Sequence, residues 1–138
     1  MNTEEALQFL KLNQPMPGDL VIGQAQCDSF IEAMDHFINK PDVRCIPLFV
    51  NSVSQNTGMG MYEKISDVLM AHRREDVIPS IKNGLASQNN GVKYRCSWWA
   101  IDLDAWELES SIEPLLTSSV EDVRDVAASF MDLKSENV

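Results

Sequence analysis

VIPSIKNGLASQNNG, from Val77 to Gly91, repeats the phrasing of CIPLFVNSVSQNTGMG, from Cys45 to Gly60. Both carry Ile-Pro near their start, an Asn four residues after the proline, a Ser-Gln-Asn, and a Gly before an apolar residue. Self-similarity at a fixed period marks a chain built from stacked copies of one unit, so this echo is followed along the chain first. The segments that follow, MYEKISDVLMAH from Met61 and VKYRCSWWAIDL from Val92, start 31 residues apart, and another step of 31 reaches Val123 and VRDVAASFMDL. Met61, Ile65, Val68 and Leu69 map onto Val92, Cys96, Trp99 and Ala100, then onto Val123, Ala127, Phe130 and Met131. Every mapped residue is apolar or small. Offsets of four, seven and eight put the side chains of each set on one face of an α-helix.

Ahead of each such helix lies a shorter apolar segment marked by a proline: Pro47, Pro79 and Pro114. Proline is tolerated in the first turn of a helix and kinks it further in, so each one punctuates the first helix of a pair. The loops SQNTGMG and ASQNNG supply Gly and Asn for left-handed backbone, and the third shrinks to SSVED. The unit is therefore helix, loop, helix. One such pair cannot bury its apolar stripe alone, whereas three stacked pairs share a core.

Outward from the repeats, SFIEAMDHFINK places Ser29 and Glu32 at capping-box spacing, with Phe30, Ala33, Met34 and Phe37 on one face. A weaker helix is expected from Thr3 to Leu12, before the turn-rich QPMPGD. The expected organisation is one all-α domain over 1–138. It has an N-terminal helical region at 1–44, helical hairpins at 45–72, 77–103 and 106–133, and a frayed tail at 134–138.

Composition bounds the function. With 11 Lys+Arg against 21 Asp+Glu the formal charge is −10, a field that repels nucleic acid and anionic lipid and attracts basic surfaces. No apolar run suits a signal peptide or a membrane span, which points to the cytoplasm. Cys27, Cys45 and Cys96 form no C-x-x-C pair, and their odd number fits small buried hydrophobes in a reducing compartment.

Catalytic and metal readings find little support. The two histidines, His36 and His72, have neither H-x-x-x-H spacing nor a cysteine at ligand distance in sequence, so no zinc site, catalytic residue or cofactor is expected. His36 reads as a helix-packing or solvated residue, and His72 as a helix-end cation with Arg73 and Arg74. Asp102, Asp104, Glu107 and Glu109 crowd IDLDAWELE, a pattern compatible with a cation site or paired carboxylates. Capping by Asp104 and helix-start glutamates explain the same pattern structurally.

Pro before a spaced apolar run, a short polar loop, then Val-Lys or Val-Arg and small residues inside a second helix resembles the HEAT repeat. VIPSIKNGLASQNNGVKYRCSWWAIDL and EPLLTSSVEDVRDVAASFMDL carry the resemblance, with Lys93 and Arg124 at the basic position, while Met61-Tyr62 departs from it. The resemblance implies a HEAT-like α-solenoid of about three hairpins, whose second helices line the concave partner face. With its small size and acidity, the chain is also similar to the immunity proteins of bacterial contact-dependent growth inhibition. That resemblance implies a protein which binds and neutralises a cognate, basic toxin domain, in such systems often a nuclease. An adaptor or assembly factor of the same architecture, and a small enzyme using the acids near 102–109, are the alternatives.

The 31-residue register places the candidate partner face. Beside the buried rows lie Tyr62, Lys93 and Arg124, then Glu63, Tyr94 and Asp125, and one turn further Asp67, Trp98 and Ser129. Adjacent tryptophans on a helix diverge by about 100°, so Trp98 and Trp99 cannot both enter one core. Trp99 holds the inward position. Trp98 is then either an exposed anchor or packed against the neighbouring helix pair or the 105–109 segment with Trp106. The expected partner-binding set is Tyr62, Glu63, Asp67, Tyr94, Trp98, Asp102 and Asp125: aromatics at the centre and acids at the rim.

Overall fold

The echo of the sequence is a repeated turn. In the computed structural model, which describes residues 1–137, the Ser54 hydroxyl accepts from the Asn56 N–H at 3.3 Å, that of Ser87 from Asn89 at 3.0 Å, and that of Ser118 from Val120 at 3.1 Å. Each is the local side-chain-to-backbone bond that lets serine end one helix before the next begins. At the second junction the turn passes into a cap, where Asn89 Oδ1 accepts from the N–H groups of Gly91 and Val92.

Around these turns lie eight α-helices and, among the described residues, no strand. They are α1 (Thr3–Lys11), α2 (Gln24–Asn39), α3 (Cys45–Val50), α4 (Ile65–Met70), α5 (Arg74–Leu85), α6 (Asn90–Asp102), α7 (Glu109–Ile112) and α8 (Glu121–Glu136). Short 3-10 segments at Gly58–Lys64, Trp106–Leu108 and Glu113–Thr117 lead into α4, into α7 and out of α7. Consecutive elements pair: α1 on α2, α5 on α6, and α8 on the Glu113–Thr117 turn. Alternate elements stack as well, α1 on α3, α3 on α5 and α5 on α7, with α2 on α4 and α6 on α8.

Eleven of the twelve residues mapped by the 31-residue step are buried, and Met131 is half-buried. Phe30, Phe37 and Phe49 add an aromatic cluster at the N-terminal end, with ring centroids 5.9 Å (Phe30–Phe49) and 6.0 Å (Phe37–Phe49) apart. Each such ring removed from water contributes about 1.5–3 kcal/mol. Two glycines set how closely the second hairpin seats on the first. A Cβ added to Gly84 in α5 would meet Cys96 Sγ, with Val50 of α3 at 3.1 Å, and one added to Gly91 would run into the Ser54 backbone.

Several boundaries differ from the sequence reading. α2 starts at Gln24, so Ser29 sits inside it; the reciprocal cap bond comes from Gln26 Oε1, which accepts the Gly23 N–H at 3.0 Å. α1 has the full capping box instead, between Asn2 and Glu5. α5 starts at Arg74 rather than Val77, with Glu75 and Asp76 in its first turn, and Pro79 therefore lies inside the helix. α8 continues through Glu136, so the expected tail at 134–138 is helical at its start, and Lys134 pairs with Glu109 at 3.3 Å. Val138 lies outside the described residues. Among those described, no helix is long and apolar enough to cross a membrane.

Candidate partner-binding groove

α6 packs against both α5 and α8, burying Val92, Cys96, Trp99 and Ala100. Ser97 is buried too, its hydroxyl donating to the Lys93 carbonyl at 2.8 Å, so its polarity is met within the helix. This leaves Tyr94, Arg95, Trp98 and Asp102 along another stripe of α6. There they line a cleft of about 370 Å³ with Glu63 and Ser66 from the segment leading through α4. A second cavity of about 240 Å³ shares Tyr94 and Arg95 with the first. Its other walls come from the serine turn at 54–57, the start of α6 and the start of α8.

Of the seven residues expected at a partner face, Glu63, Tyr94, Trp98 and Asp102 thus line one cleft. Trp98 is 39% exposed and Trp99 3%. Trp106 is not the partner of Trp98; its ring packs on Phe130 at 5.2 Å. Neither Glu63 nor Asp102 enters an ion pair among the described residues. Burial holds the Asp102 carboxyl above its ordinary pKa, as expected for an acid losing water without gaining a cation. Asp67 and Asp125 are exposed but lie outside the lining of both cavities.

Tyr62 corrects the sequence reading: it is fully buried, not part of the surface. Gly58, Met59 and Gly60 take positive φ, and the chain then runs as a 3-10 turn to Lys64 before α4 begins. An α-helical register of 100° per residue does not apply to that geometry, and Met61 and Tyr62 both turn inward. The Tyr62 ring meets Phe30 edge-on at 6.2 Å and covers Gly58 so closely that a Cβ there would collide with it. Its hydroxyl has no hydrogen-bond partner among the described residues. Burial raises its pKa, opposed by the neighbouring Ser54 hydroxyl.

The expected row of Tyr62, Lys93 and Arg124 dissolves with it. Lys93 lines a separate depression with Lys82 and Leu115, and Arg124 donates to the Ser118 carbonyl at 3.0 Å. The basic residue of the groove is Arg95, which sequence reasoning passed over. Its guanidinium carbon sits 5.8 Å from the Tyr62 ring centroid and 5.6 Å from that of Tyr94. A signal existed: Lys64 lies 31 residues earlier, so two copies carry a cation at this register. Lys64 is taken by Asp35 at 2.6 Å; Arg95 has no such carboxylate among the described residues.

The remaining chemistry-bearing groups serve the fold. Glu107 receives both arms of Arg74 at 2.7 Å, which holds its carboxyl below the ordinary range. Asp104 occupies a turn at φ 50°, and no group of three His, Cys, Asp or Glu among the described residues could hold a metal. His72 donates from Nδ1 to the Val68 carbonyl at 2.8 Å and accepts the Asp42 N–H on Nε2 at 3.1 Å, bridging the end of α4 to the turn before α3. It does so alone, because Arg73 pairs with Glu75 and Asp76 and Arg74 with Glu107. His36 Nε2 meets Thr3 Oγ1 at 2.7 Å and ties α2 to α1. Burial pushes the Cys45 thiol up to about 12 and raises that of Cys96 as well, leaving both unreactive at neutral pH. Comparison with protein-family models, curated proteins and solved structures finds no match to this chain.

Proposed function

We propose that the chain is a binding protein built on HEAT-like stacked hairpins, and that it acts as an immunity protein by holding a basic toxin domain against this groove. The observation that carries the proposal is the half-exposed Trp98 in one cleft with two carboxylates, Glu63 and Asp102, that enter no ion pair among the described residues. A lysine or arginine from a partner laid over Trp98 would gain about 0.5–2 kcal/mol from the ring face alone. The same cation would attract the Asp102 carboxylate and so offset the desolvation that raises its pKa. The net charge of −10 would speed the encounter and make it salt-sensitive. The HEAT-like reading draws its support from the alternate stacking of helices and from buried rows recurring every 31 residues.

Co-expression with the product of an adjacent gene encoding a basic, growth-inhibiting protein tests the proposal. The expected outcome is growth rescue by the native chain and loss of rescue by Trp98→Ala and Asp102→Asn, with both variants folded. Failure of the native chain to rescue, with several unrelated proteins co-purifying, would instead identify an adaptor.

A further inference from the structure

Four of the five arginines donate hydrogen bonds: Arg44 to Glu4 and Asp42, Arg73 to Asp76, Arg74 to Glu107, and Arg124 to the Ser118 carbonyl. Arg95 donates to nothing among the described residues. Its guanidinium carbon lies over the rings of Tyr62 and Tyr94, at 5.8 and 5.6 Å from their centroids. It faces the 240 Å³ cavity, whose walls are mostly uncharged hydrogen-bonding groups, among them Gln55, Asn56, Thr57 and Asn90. The only carboxylate in the lining among the described residues, Asp122, forms no ion pair with it. In a chain with almost twice as many acids as bases, a positioned guanidinium without an acid is an unusual vacancy of partner, not of space.

We propose that Arg95 and this amide-lined cavity form a receptor for a single carboxylate, supplied by an Asp or Glu side chain of the bound partner. A planar carboxylate matches the two-pronged donor fork of arginine, and amide and hydroxyl walls can complete its hydrogen bonds without adding charge. Asp122 and the overall negative field oppose a dianion such as phosphate, which narrows the ligand to a monoanion. The inference rests on the reading of the groove as a protein-docking face and sharpens it. A cation enters at Glu63, Trp98 and Asp102, an anion at Arg95, and the order of the two charges on the partner sets the register in which it docks.

The test follows the Arg95 Nε–H and Gly91 N–H NMR signals of the full chain during titration with sodium acetate, inorganic phosphate and chloride at matched ionic strength. Acetate should shift both signals along a saturating curve, phosphate should bind at least about threefold more weakly, and chloride should do nothing. Arg95→Gln should abolish the saturating response at Gly91, and Arg95→Lys, which keeps the charge but not the fork, should weaken it. Both variants should keep the native melting curve. A response to acetate that never saturates, phosphate binding as tightly as acetate, or an acetate response that survives Arg95→Gln would overturn the proposal. Hexa-arginine, followed by Trp98 fluorescence, reports the acidic end separately. Loss of that response with acetate binding intact would overturn the docking reading and leave the carboxylate site standing.

Discussion

Trp98 and Trp99 are consecutive residues of α6 that look into different media, the first into the groove at 39% exposure and the second into the core at 3%. Truncating them should therefore separate binding from stability. Trp99→Ala removes a large ring from a packed interior and should cost about 3–5 kcal/mol in denaturant unfolding. Trp98→Ala should stay within about 1 kcal/mol of the native chain while losing partner affinity. Equal destabilisation by the two would contradict the assignment of Trp98 as an anchor.

Gly91 and Gly60 offer a matched pair for backbone proximity. A methyl group at Gly91 runs into the Ser54 backbone, whereas one at Gly60 meets nothing within 4 Å, although φ there is +83°. Gly91→Ala should cost about 1–3 kcal/mol through displacement of the second hairpin from the first. Gly60→Ala should cost only the left-handed backbone strain, about 1 kcal/mol. Thermal melts of the two variants distinguish close helix seating from conformational preference.

Asp102 and Glu107 should give stability profiles of opposite sign. The Glu107 pKa is lowered by Arg74, so its contribution is fully present above the unfolded carboxylate value and is lost as pH falls through the lower folded value. Glu107→Gln should cost about 0.5–1 kcal/mol at pH 7 and approach the native chain in acid. The Asp102 pKa is raised by burial, so the fold becomes less favourable as pH rises from the unfolded value through the folded one. Asp102→Asn should stabilise the free protein at pH 7 by about 0.5 kcal/mol, modest because this carboxylate keeps contact with water, while weakening capture of a cationic partner.

Tyr62 carries a hydroxyl in the core without a hydrogen-bond partner among the described residues. Such a group costs about 1–3 kcal/mol to bury, so Tyr62→Phe should raise the unfolding midpoint and add about 1 kcal/mol. A fall in stability on the same change would mean that the hydroxyl is satisfied by Ser54, the neighbour it faces.

The helical class, the inward rows and the division between Trp98 and Trp99 were legible because each depends on a local period of 3.6 residues repeated every 31. Where the backbone leaves that period, the reading fails. Tyr62 was assigned to the surface because nothing in MYEKISDV announces that Gly58, Met59 and Gly60 impose a 3-10 entry on α4. The carboxylates Glu107 and Glu109 formed a cluster in sequence but are drawn apart by Arg74 and Lys134, partners 33 and 25 residues away in the chain. Arg95 escaped notice for the converse reason. What distinguishes it is the lack of a hydrogen-bond or ion-pair partner among the described residues, and that becomes visible only once the other four arginines have been placed.

Asp19 fastens the loop between α1 and α2 to the serine turn that walls the Arg95 cavity. Its carboxylate accepts the Thr57 hydroxyl at 2.7 Å and the N–H groups of Thr57 and Met59 at 3.2 and 3.3 Å. The Thr57 hydroxyl is the chief reason its pKa lies below the ordinary value. Those bonds hold while Asp19 is ionised and weaken as acid protonates it. An acidified medium would therefore loosen the seam between this loop and the turn at 54–57, on the rim of the Arg95 cavity, while the apolar packing of the helices stays in place.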